Sequence, residues 1–261
     1  MSGWASLGEE LDRWAEAGRT AAFWWRDDDA AEPSPALDRL LALAAAGGVP
    51  LSLAVIPMAA TSELATRLAA EAPEARPAVL VHGFAHRNHA APGEKKAEFP
   101  SRRPVGVMAG EAAAGLGRLR EMFGAGTRPW LVPPWNRLPP SLVARLPGAG
   151  FRGLSTFGRR ASREPVAGLV QVNTHLDPVD WRGTRGFAGE DRVLATLGAE
   201  LAARRRGGAD GAEPTGLLTH HLVLDAAGWG FVERLVDATR AHPAARWLSA
   251  RELFDGAGEG P

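Results

Sequence analysis

Three consecutive aspartates are the most unusual chemical feature of the sequence. They directly follow three aromatic residues and an arginine, "FWWR" at 23–26, and are numbered Asp27, Asp28 and Asp29. Neighbouring carboxylates repel one another, and a bound cation would offset that repulsion in a partly buried site. A solvated acidic loop is one alternative. A helix N-cap is another, although Ser34, which precedes a proline, is the better cap. The cluster therefore favours a metal site.

Two histidines with metal-ligand spacing occur further along the chain. His82 and His86 in "HGFAHRNH" are four residues apart, so a helical turn or a tight loop lets both rings reach one cation. Two imidazoles and one carboxylate form an open divalent site that leaves positions for water and substrate. The alternative is a core histidine at 82 and a surface histidine at 86. The aspartate cluster favours the metal interpretation.

The residues with catalytic potential follow the predicted strands at their C-terminal ends. In a parallel α/β barrel this end carries the active site, because the loops between strands and helices converge there. Besides the aspartates and His82, the residues at this end are "PPWN" at 133–136, His175, Asp177, His220 and His221. This arrangement predicts an enzyme.

The elements that must position these residues alternate along the chain. Short apolar runs typical of strands buried on both faces occur at 21–26, 51–56, 78–82, 129–132, 151–155, 169–173, 216–221 and 246–249. Helical patterns lie at 35–46, 61–71, 110–123, 190–206 and 229–241. The fold class predicted is α/β: a single deformed (β/α) barrel of about seven to eight parallel strands, in one domain spanning 1–261. The irregular stretch 87–108 is either a functional loop over the site or a mobile surface excursion.

Composition excludes several classes of function. Lys+Arg and Asp+Glu both number 30, so the chain lacks the basic excess that nucleic acid requires. Because there is no cysteine, any metal must be bound by His, Asp or Glu. The uncharged stretch 40–61 is interrupted by "AAAGGVP" and is interpreted as a buried helix and strand, not a membrane span. The N-terminal sequence has no apolar segment typical of a signal peptide, so a cytoplasmic location is expected.

The polar motifs, taken in order, resemble a known family. "RDDDA" (26–30), "HGFAH" (82–86), "VPPWN" (132–136), "DPVDW" (177–181) and "LLTHH" (217–221) are similar to the five motifs of polysaccharide deacetylases of the NodB-homology type, carbohydrate esterase family 4. The resemblance implies a deformed (β/α) barrel with a divalent metal, usually zinc. It also implies hydrolysis of an N-acetyl or O-acetyl group on a sugar.

The resemblance also implies roles for individual residues. The first motif supplies a general base and a metal ligand, which are Asp27 and Asp28 in one register and Asp28 and Asp29 in the other. The further implied ligands are His82 and His86. The remaining implied roles are an oxyanion-binding N–H at Trp135, a substrate wall at Trp181 with Asp180, and a general acid at His220, or at His221 if the register differs.

Two positions depart from the family pattern. Val132 stands where the third motif has an arginine that orients the catalytic aspartate, and Arg26 or Arg137 is a candidate substitute. Asp29 replaces the glycine of the first motif. These departures indicate a divergent member. Among the nine tryptophans, Trp135 and Trp181 are the ones expected to contact substrate, and core packing is expected for most others.

The resulting hypothesis is a metal-dependent deacetylase that acts on an acetylated sugar, such as a cytoplasmic surface-glycan precursor. Water is activated by the metal and an aspartate, and a histidine protonates the leaving group. A catalytically silent barrel that binds a sugar or nucleotide sugar is the main alternative. Another metal-dependent hydrolase, such as an amidase, is the third.

Overall fold

Eight parallel strands form the centre of the computed structural model, which describes residues 3–255. Each of the eight strands predicted from the sequence is present, and the predicted α/β barrel class is confirmed. The strands are β1 Ala21–Ala30, β2 Leu51–Val55, β3 Ala78–His82, β4 Thr127–Val132, β5 Gly153–Leu154, β6 Val170–Gln171, β7 Thr215–Thr219 and β8 Ala245–Trp247.

The sheet curves until its two ends meet. The strand order is β6-β5-β4-β3-β2-β1-β7, and β8 pairs with the beginning of β1. Beyond β6, an isolated parallel bridge joins Leu176 to Leu217 in β7. Because this bridge connects the two ends of the path, the sheet is a deformed barrel, and all C-terminal strand ends point to one mouth.

Helices cover the outside of the sheet, and all five helical patterns predicted from the sequence are found. The first helix was not predicted, although Leu7, Leu11 and Trp14 on one of its faces are buried. The helices are α1 Gly3–Glu16, α2 Pro35–Gly47, α3 Ser62–Ala69, α4 Val105–Phe123, α5 Pro140–Val143, α6 Glu190–Arg205, α7 Ala226–Arg240 and α8 Ala250–Asp255.

Capping residues explain where the early helices begin and end. The side chain of Ser34 accepts a hydrogen bond from the Leu37 N–H, and Thr61 does the same for Leu64, as N-caps do. Gly48 ends α2 in the left-handed conformation, which glycine adopts without steric cost. The uncharged stretch 40–61 is therefore a helix and a strand, as expected. No helix among residues 3–255 is long and apolar enough to cross a membrane.

Two apolar clusters lie on opposite faces of the sheet. The larger cluster joins the sheet to the helices and includes Trp25, while the smaller one includes Trp24 and Trp130. Since side chains alternate along a strand, consecutive residues Trp24 and Trp25 face the barrel interior and the helix layer respectively. All three indoles are fully buried, and Trp14, Trp229 and Trp247 are buried as well, which confirms the core role expected for most of the nine tryptophans.

Candidate active site

A cluster with the ligand types of a metal site lies at the mouth of the barrel. Asp29 Oδ1 is 3.0 Å from His82 Nε2 and 3.2 Å from His86 Nε2. One potential ligand atom from each of these residues lies within 4.8 Å of the others. Among residues 3–255, no other group of three or more His, Asp or Glu side chains converges in this way. The geometry therefore fits one divalent cation with three protein ligands.

The hydrogen bonding of His82 shows that a positive charge belongs in this cluster. His82 Nδ1 lies 2.9 Å from the Val132 carbonyl oxygen, which can only accept, so Nδ1 carries a proton. In a neutral ring, Nε2 then presents a lone pair to the Asp29 carboxylate, which also only accepts. A proton or a metal ion must lie between them. A second ring nitrogen bound to a backbone carbonyl is the usual arrangement for a metal-ligating histidine.

The pKa values in the cluster follow from burial and from the neighbouring charges. Burial lowers the pKa of His82, but its hydrogen bond to Asp29 and the charges of Asp28 and Asp29 outweigh this effect and raise it overall. Burial raises the pKa of Asp29, but His82 and the nearby histidines bring it well below its usual range. The pKa of His86 is lowered by burial and then by the charge of His82. The carboxylate therefore stays ionised, as a ligand must.

Strand β1 delivers two consecutive carboxylates to the mouth because its alternation breaks. Arg26 and Asp28 lie on the interior face, and Asp27 lies on the opposite face. Asp29 has a φ of 74°, and the pairing register with β2 shifts between Asp27 and Ala30. This left-handed residue turns the Asp29 side chain back to the mouth beside Asp28. The geometry thus favours the register with Asp28 as base and Asp29 as ligand.

Arg26 holds Asp28 with a two-pronged contact. Its Nε donates to Asp28 Oδ1 at 2.8 Å, and its Nη2 donates to Asp28 Oδ2 at 3.0 Å. The remaining donors bond Ser155 Oγ at 2.6 Å and Asn136 Oδ1 at 2.8 Å. Arg26 is fully buried. Its fork fixes the plane of the carboxylate, which is the role that the family pattern gives to an arginine at the position of Val132. Arg137, the other candidate, is exposed and donates to the carbonyl of Lys96.

Asp27 belongs to a separate buried network behind the mouth. Its Oδ1 lies 2.5 Å from His221 Nδ1, and its Oδ2 accepts from the Thr219 hydroxyl at 2.6 Å and the His221 N–H at 3.0 Å. Trp25 Nε1 donates to the same hydroxyl. The two members of the pair, Asp27 and His221, are almost completely buried. They link β1 to the end of β7 and do not join the metal-type cluster.

His220 lies on the other side of the mouth with the fourth motif. Its ring meets the Trp181 indole edge-on, with the centroids 4.7 Å apart. Trp181 Nε1 donates to Asp177 Oδ2 at 2.7 Å. Burial raises the pKa of Asp177, and the charge of His220 acts in the opposite direction. Asp177 is therefore the carboxylate of "DPVDW" that is linked to His220 through Trp181. Asp180 instead lies 3.6 Å from Arg192.

Trp135 occupies a sharp turn at the end of β4. Residues Pro134–Asn136 form one 3₁₀ turn, and both Trp135 and Asn136 have a positive φ, 56° and 55°. A bulky residue rarely adopts this conformation. The Trp135 ring lies 4.5 Å from that of His86, so the two predicted substrate walls flank the cluster, Trp135 beside His86 and Trp181 beside His220.

A cavity of about 610 Å³ adjoins the network around Arg26. Asn136 and Thr156, both hydrogen-bonded to Arg26, form part of its wall. Its size is within the range of small-molecule sites. The remaining lining residues are Arg137, Leu138, Pro140, Val143, Leu154, Pro165, Val166 and Gln171.

Three contributors to the site were not assigned a role from the sequence. Ser155 carries no motif signal, and Asn136 ends the motif "VPPWN" but received no role of its own; both contact Arg26 because the ends of three strands converge. Asp177 was visible as a polar residue after the sixth strand, but the repeated aspartate in "DPVDW" concealed which one faces His220. His175, which follows the same strand, bonds the Gly216 N–H and lies near Glu213, away from the cluster.

Comparison with known proteins relies on structure, because no family model and no curated protein matches the sequence. A protein from Mycobacterium smegmatis described as a polysaccharide deacetylase has a TM-score of 0.67 at 18% identity, covering 94% of this chain and 93% of that one. A family 4 carbohydrate esterase from Streptomyces lividans, in complex with acetate, has a TM-score of 0.54 at 14% identity, covering 87% and 91%. A family 4 acetyl xylan esterase from Clostridium thermocellum, in complex with cobalt, has a TM-score of 0.52 at 13% identity, covering 92% and 93%.

These structures share the barrel over nearly their whole length at identities that leave most residues different. The chain therefore has the fold of the polysaccharide deacetylases and esterases of carbohydrate esterase family 4.

Proposed function

We propose that this protein is a metal-dependent hydrolase that removes an acetyl group from an N-acetylated or O-acetylated sugar. The observation that carries the proposal is the convergence of Asp29, His82 and His86 beside Asp28, whose carboxylate Arg26 holds. The shared fold, the acetate bound to the Streptomyces lividans esterase and the cobalt bound to the Clostridium thermocellum enzyme support it.

Asp29, His82 and His86 would bind the metal. A divalent cation in this site supplies Lewis acidity, which polarises an acyl carbonyl and lowers the pKa of water. Zinc is proposed from the resemblance, although two imidazoles and a carboxylate also suit iron, cobalt or nickel.

Asp28 is the proposed general base. The Arg26 fork fixes both of its oxygens, and the bonds from Arg26 to Ser155 and Asn136 hold the fork itself in place. A carboxylate held in this way can take a proton from an attacking water without first reorienting. Asp27 is not proposed as the base, because its carboxylate lies on the opposite face of β1 from Asp28, in the buried network with Thr219 and His221 behind the mouth.

His220 is the proposed general acid. Its protonated ring would donate to the departing nitrogen or oxygen of the sugar, because an amine leaves poorly without a proton. Trp181 packs against the ring and is tied to Asp177, so the position of the acid is supported from its own side of the mouth. The N–H of Trp135 is proposed to bind the developing oxyanion, and losing such a donor typically costs about 10²–10³-fold in rate.

The indoles of Trp135 and Trp181 are proposed to hold the sugar ring between them. Aromatic rings present flat apolar faces, and Trp181 is 42% exposed. We further propose that the chain acts as one catalytic domain on a surface-glycan precursor in the cytoplasm.

The test is a calorimetric titration of metal-stripped protein with Zn²⁺ and Co²⁺, alongside His86→Ala, followed by an acetate-release assay on a panel of N-acetylated and O-acetylated sugars. We expect tight one-site binding that His86→Ala weakens severely, and metal-dependent release of acetate. No binding by the wild-type protein would refute the metal centre. Metal and sugar binding without release of acetate from any sugar would instead support the catalytically silent barrel. The reason for that alternative is that valine stands at position 132, where the family pattern has an arginine. Arg26 can take the role of that arginine.

A further inference from the structure

A buried glutamate lies next to the turn that carries both histidine ligands. Glu98 belongs to the long segment between β3 and α4 and is only 1% exposed. Its Oε2 accepts from the Phe84 N–H at 2.9 Å, and its Oε1 accepts from the Ala85 N–H at 2.8 Å and the Arg87 N–H at 3.2 Å. A buried carboxylate is costly unless its oxygens are bonded. Three backbone amides converge on this one, as in an anion-binding nest.

The turn held by Glu98 includes a histidine, His86, in a backbone conformation that residues other than glycine rarely adopt. Gly83 has a φ of 64° and His86 has a φ of 53°. The left-handed conformation is sterically unfavourable for a residue other than glycine, such as His86. Glu98, which lies eleven to fourteen residues further along the chain, accepts hydrogen bonds from the backbone N–H groups of the turn. The long-range contact therefore stabilises what local preference opposes.

The packing around Gly83 leaves no room for a side chain at this position. A Cβ at this position would lie 2.0 Å from Glu98 Oε2 and 2.5 Å from Pro134 Cδ. Pro134 precedes Trp135, so the carboxylate is enclosed between the second and third motifs. A substitution of Glu98 would therefore alter the turn that orients His82 and His86.

The segment that carries Glu98 is itself fixed to the barrel. The Ala97 N–H donates to Asn88 Oδ1 at 3.0 Å, and the side chain of Phe99 is 1% exposed. Arg103 donates to the Glu98 carbonyl oxygen and forms two bonds with Glu111 on α4. This part of the stretch 87–108 is thus an anchored loop, in contrast to the mobile excursion considered from the sequence.

We propose that Glu98 is a positioning residue for the metal centre. Its carboxylate holds residues 83–87 in the conformation that directs His82 and His86 toward Asp29 together. The inference rests on the proposed metal-dependent function and adds a residue that touches neither metal nor substrate. A neutral amide at this position could not hold the turn in the same way. Its NH₂ group would face backbone N–H groups, and two donors cannot form a hydrogen bond with each other.

The test compares Glu98→Gln with wild-type protein by calorimetric titration of the metal-stripped chain with Zn²⁺. We expect a 10–100-fold loss of affinity, the range typical for residues that orient metal ligands. Glu94→Gln is the matched control, since Glu94 is an exposed glutamate of the same segment whose side chain accepts from the nearby backbone N–H of Ala91. Its affinity should equal that of the wild type.

A spectroscopic readout separates positioning from general stability. With Co²⁺ in the site, we expect Glu98→Gln to change the visible absorption that reports ligand geometry, and Glu94→Gln to leave it unchanged. Wild-type affinity and an unchanged spectrum in Glu98→Gln would overturn the proposal, whatever the thermal stability of the metal-free variant. If Glu98→Gln does not fold, Gly83→Ala tests the same contact from the other side, and unchanged metal affinity in that variant would overturn the proposal. Wild-type protein that binds no metal would refute the proposed function along with it.

Discussion

Two aspartate–histidine sets drawn from the same two strands have opposite environments. Asp27 and His221 pair with each other in a buried network between β1 and β7. Asp28, Asp29 and His220, each one or two positions away, lie at the mouth with His82, His86 and the exposed indole of Trp181. The difference shows that one residue of register decides whether a carboxylate or an imidazole serves the core or the site.

The two sets are also neutralised differently. Asp27 is satisfied by a histidine, a hydroxyl and a backbone N–H, so it needs no further partner. Asp28 is held by a buried arginine. Asp29 lies beside His82 and His86, and this group of side chains favours a bound cation. The first set fastens two strands together, and the second retains groups that can bind a metal and transfer a proton. Variants that affect one set and spare the other test this contrast.

The largest effect is expected for His220→Ala. Without the proposed general acid, the rate of acetate release should fall by about 10²–10⁴-fold, measured as kcat on the best sugar of the panel. Because the ring is only half-buried and its Nδ1 has no hydrogen-bond partner among the residues described, the free energy of unfolding should change by no more than about 1 kcal/mol. Full activity in this variant would remove His220 from the mechanism.

The neighbouring substitution His221→Ala should show the reverse pattern. Removing one partner of a buried ion pair leaves Asp27 uncompensated, which typically costs roughly 3–5 kcal/mol of stability. Urea denaturation of the metal-free protein measures this loss, and activity per folded molecule should fall far less than in His220→Ala. If His221→Ala is stable but inactive, the fallback register with His221 as the acid is the correct one.

Arg26→Lys tests whether the fork on Asp28 is needed. A lysine keeps the charge but has one donor nitrogen, so the plane of the carboxylate is no longer fixed. We expect kcat to fall by about 10²-fold, the cost of a small misplacement of a reacting group. Arg137→Lys is the matched control, because Arg137 is exposed and its side chain donates to the Lys96 carbonyl oxygen, away from Asp28. Equal losses in both variants would argue against a special role for Arg26.

The smallest effect is a pH dependence of stability that belongs to the buried set. Burial lowers the pKa of His221, but the hydrogen bond and charge of Asp27, together with Asp29, outweigh it and raise the pKa above about 6.5. A raised pKa in the folded state means that this contribution is fully present below pH 6.5 and is lost as the pH rises through the folded-state value. The stability difference between wild-type protein and His221→Ala should therefore narrow toward alkaline pH, by at most about 1.4 kcal/mol per pH unit. Urea denaturation from pH 6 to 9 checks this, and a constant difference would contradict it.

The fold could be predicted from the sequence because its signals are local. Apolar runs of four to six residues separated by helical patterns gave all eight strands, and Ser34 and Gly48 marked the ends of one helix as capping residues do. The first helix was missed. Its buried face consists of Leu7, Leu11 and Trp14 within a segment rich in charged residues, and only packing against the barrel makes that face necessary.

The site was predictable only in part. The residue types, their order and their placement after strands indicated a metal and an acid–base pair at one end of a barrel. They did not indicate which two of the three aspartates face the mouth, since that depends on the positive φ of Asp29 and the register shift beside it. The sequence left Arg26 and Arg137 as alternatives and gave no signal for Glu98, because the partners that decide both roles lie on other segments.

The sequence by itself determined the class of fold, the end of the barrel at which the chemistry collects and the kinds of ligand available there. These properties depend on periodicity and composition, which neighbouring residues express. Only the tertiary structure decided which carboxylate bonds the arginine, which histidine is buried and what holds the turn between His82 and His86. Those outcomes depend on the register between strands and on contacts between distant segments, where a shift of one residue or a few ångströms changes the partner of every polar group.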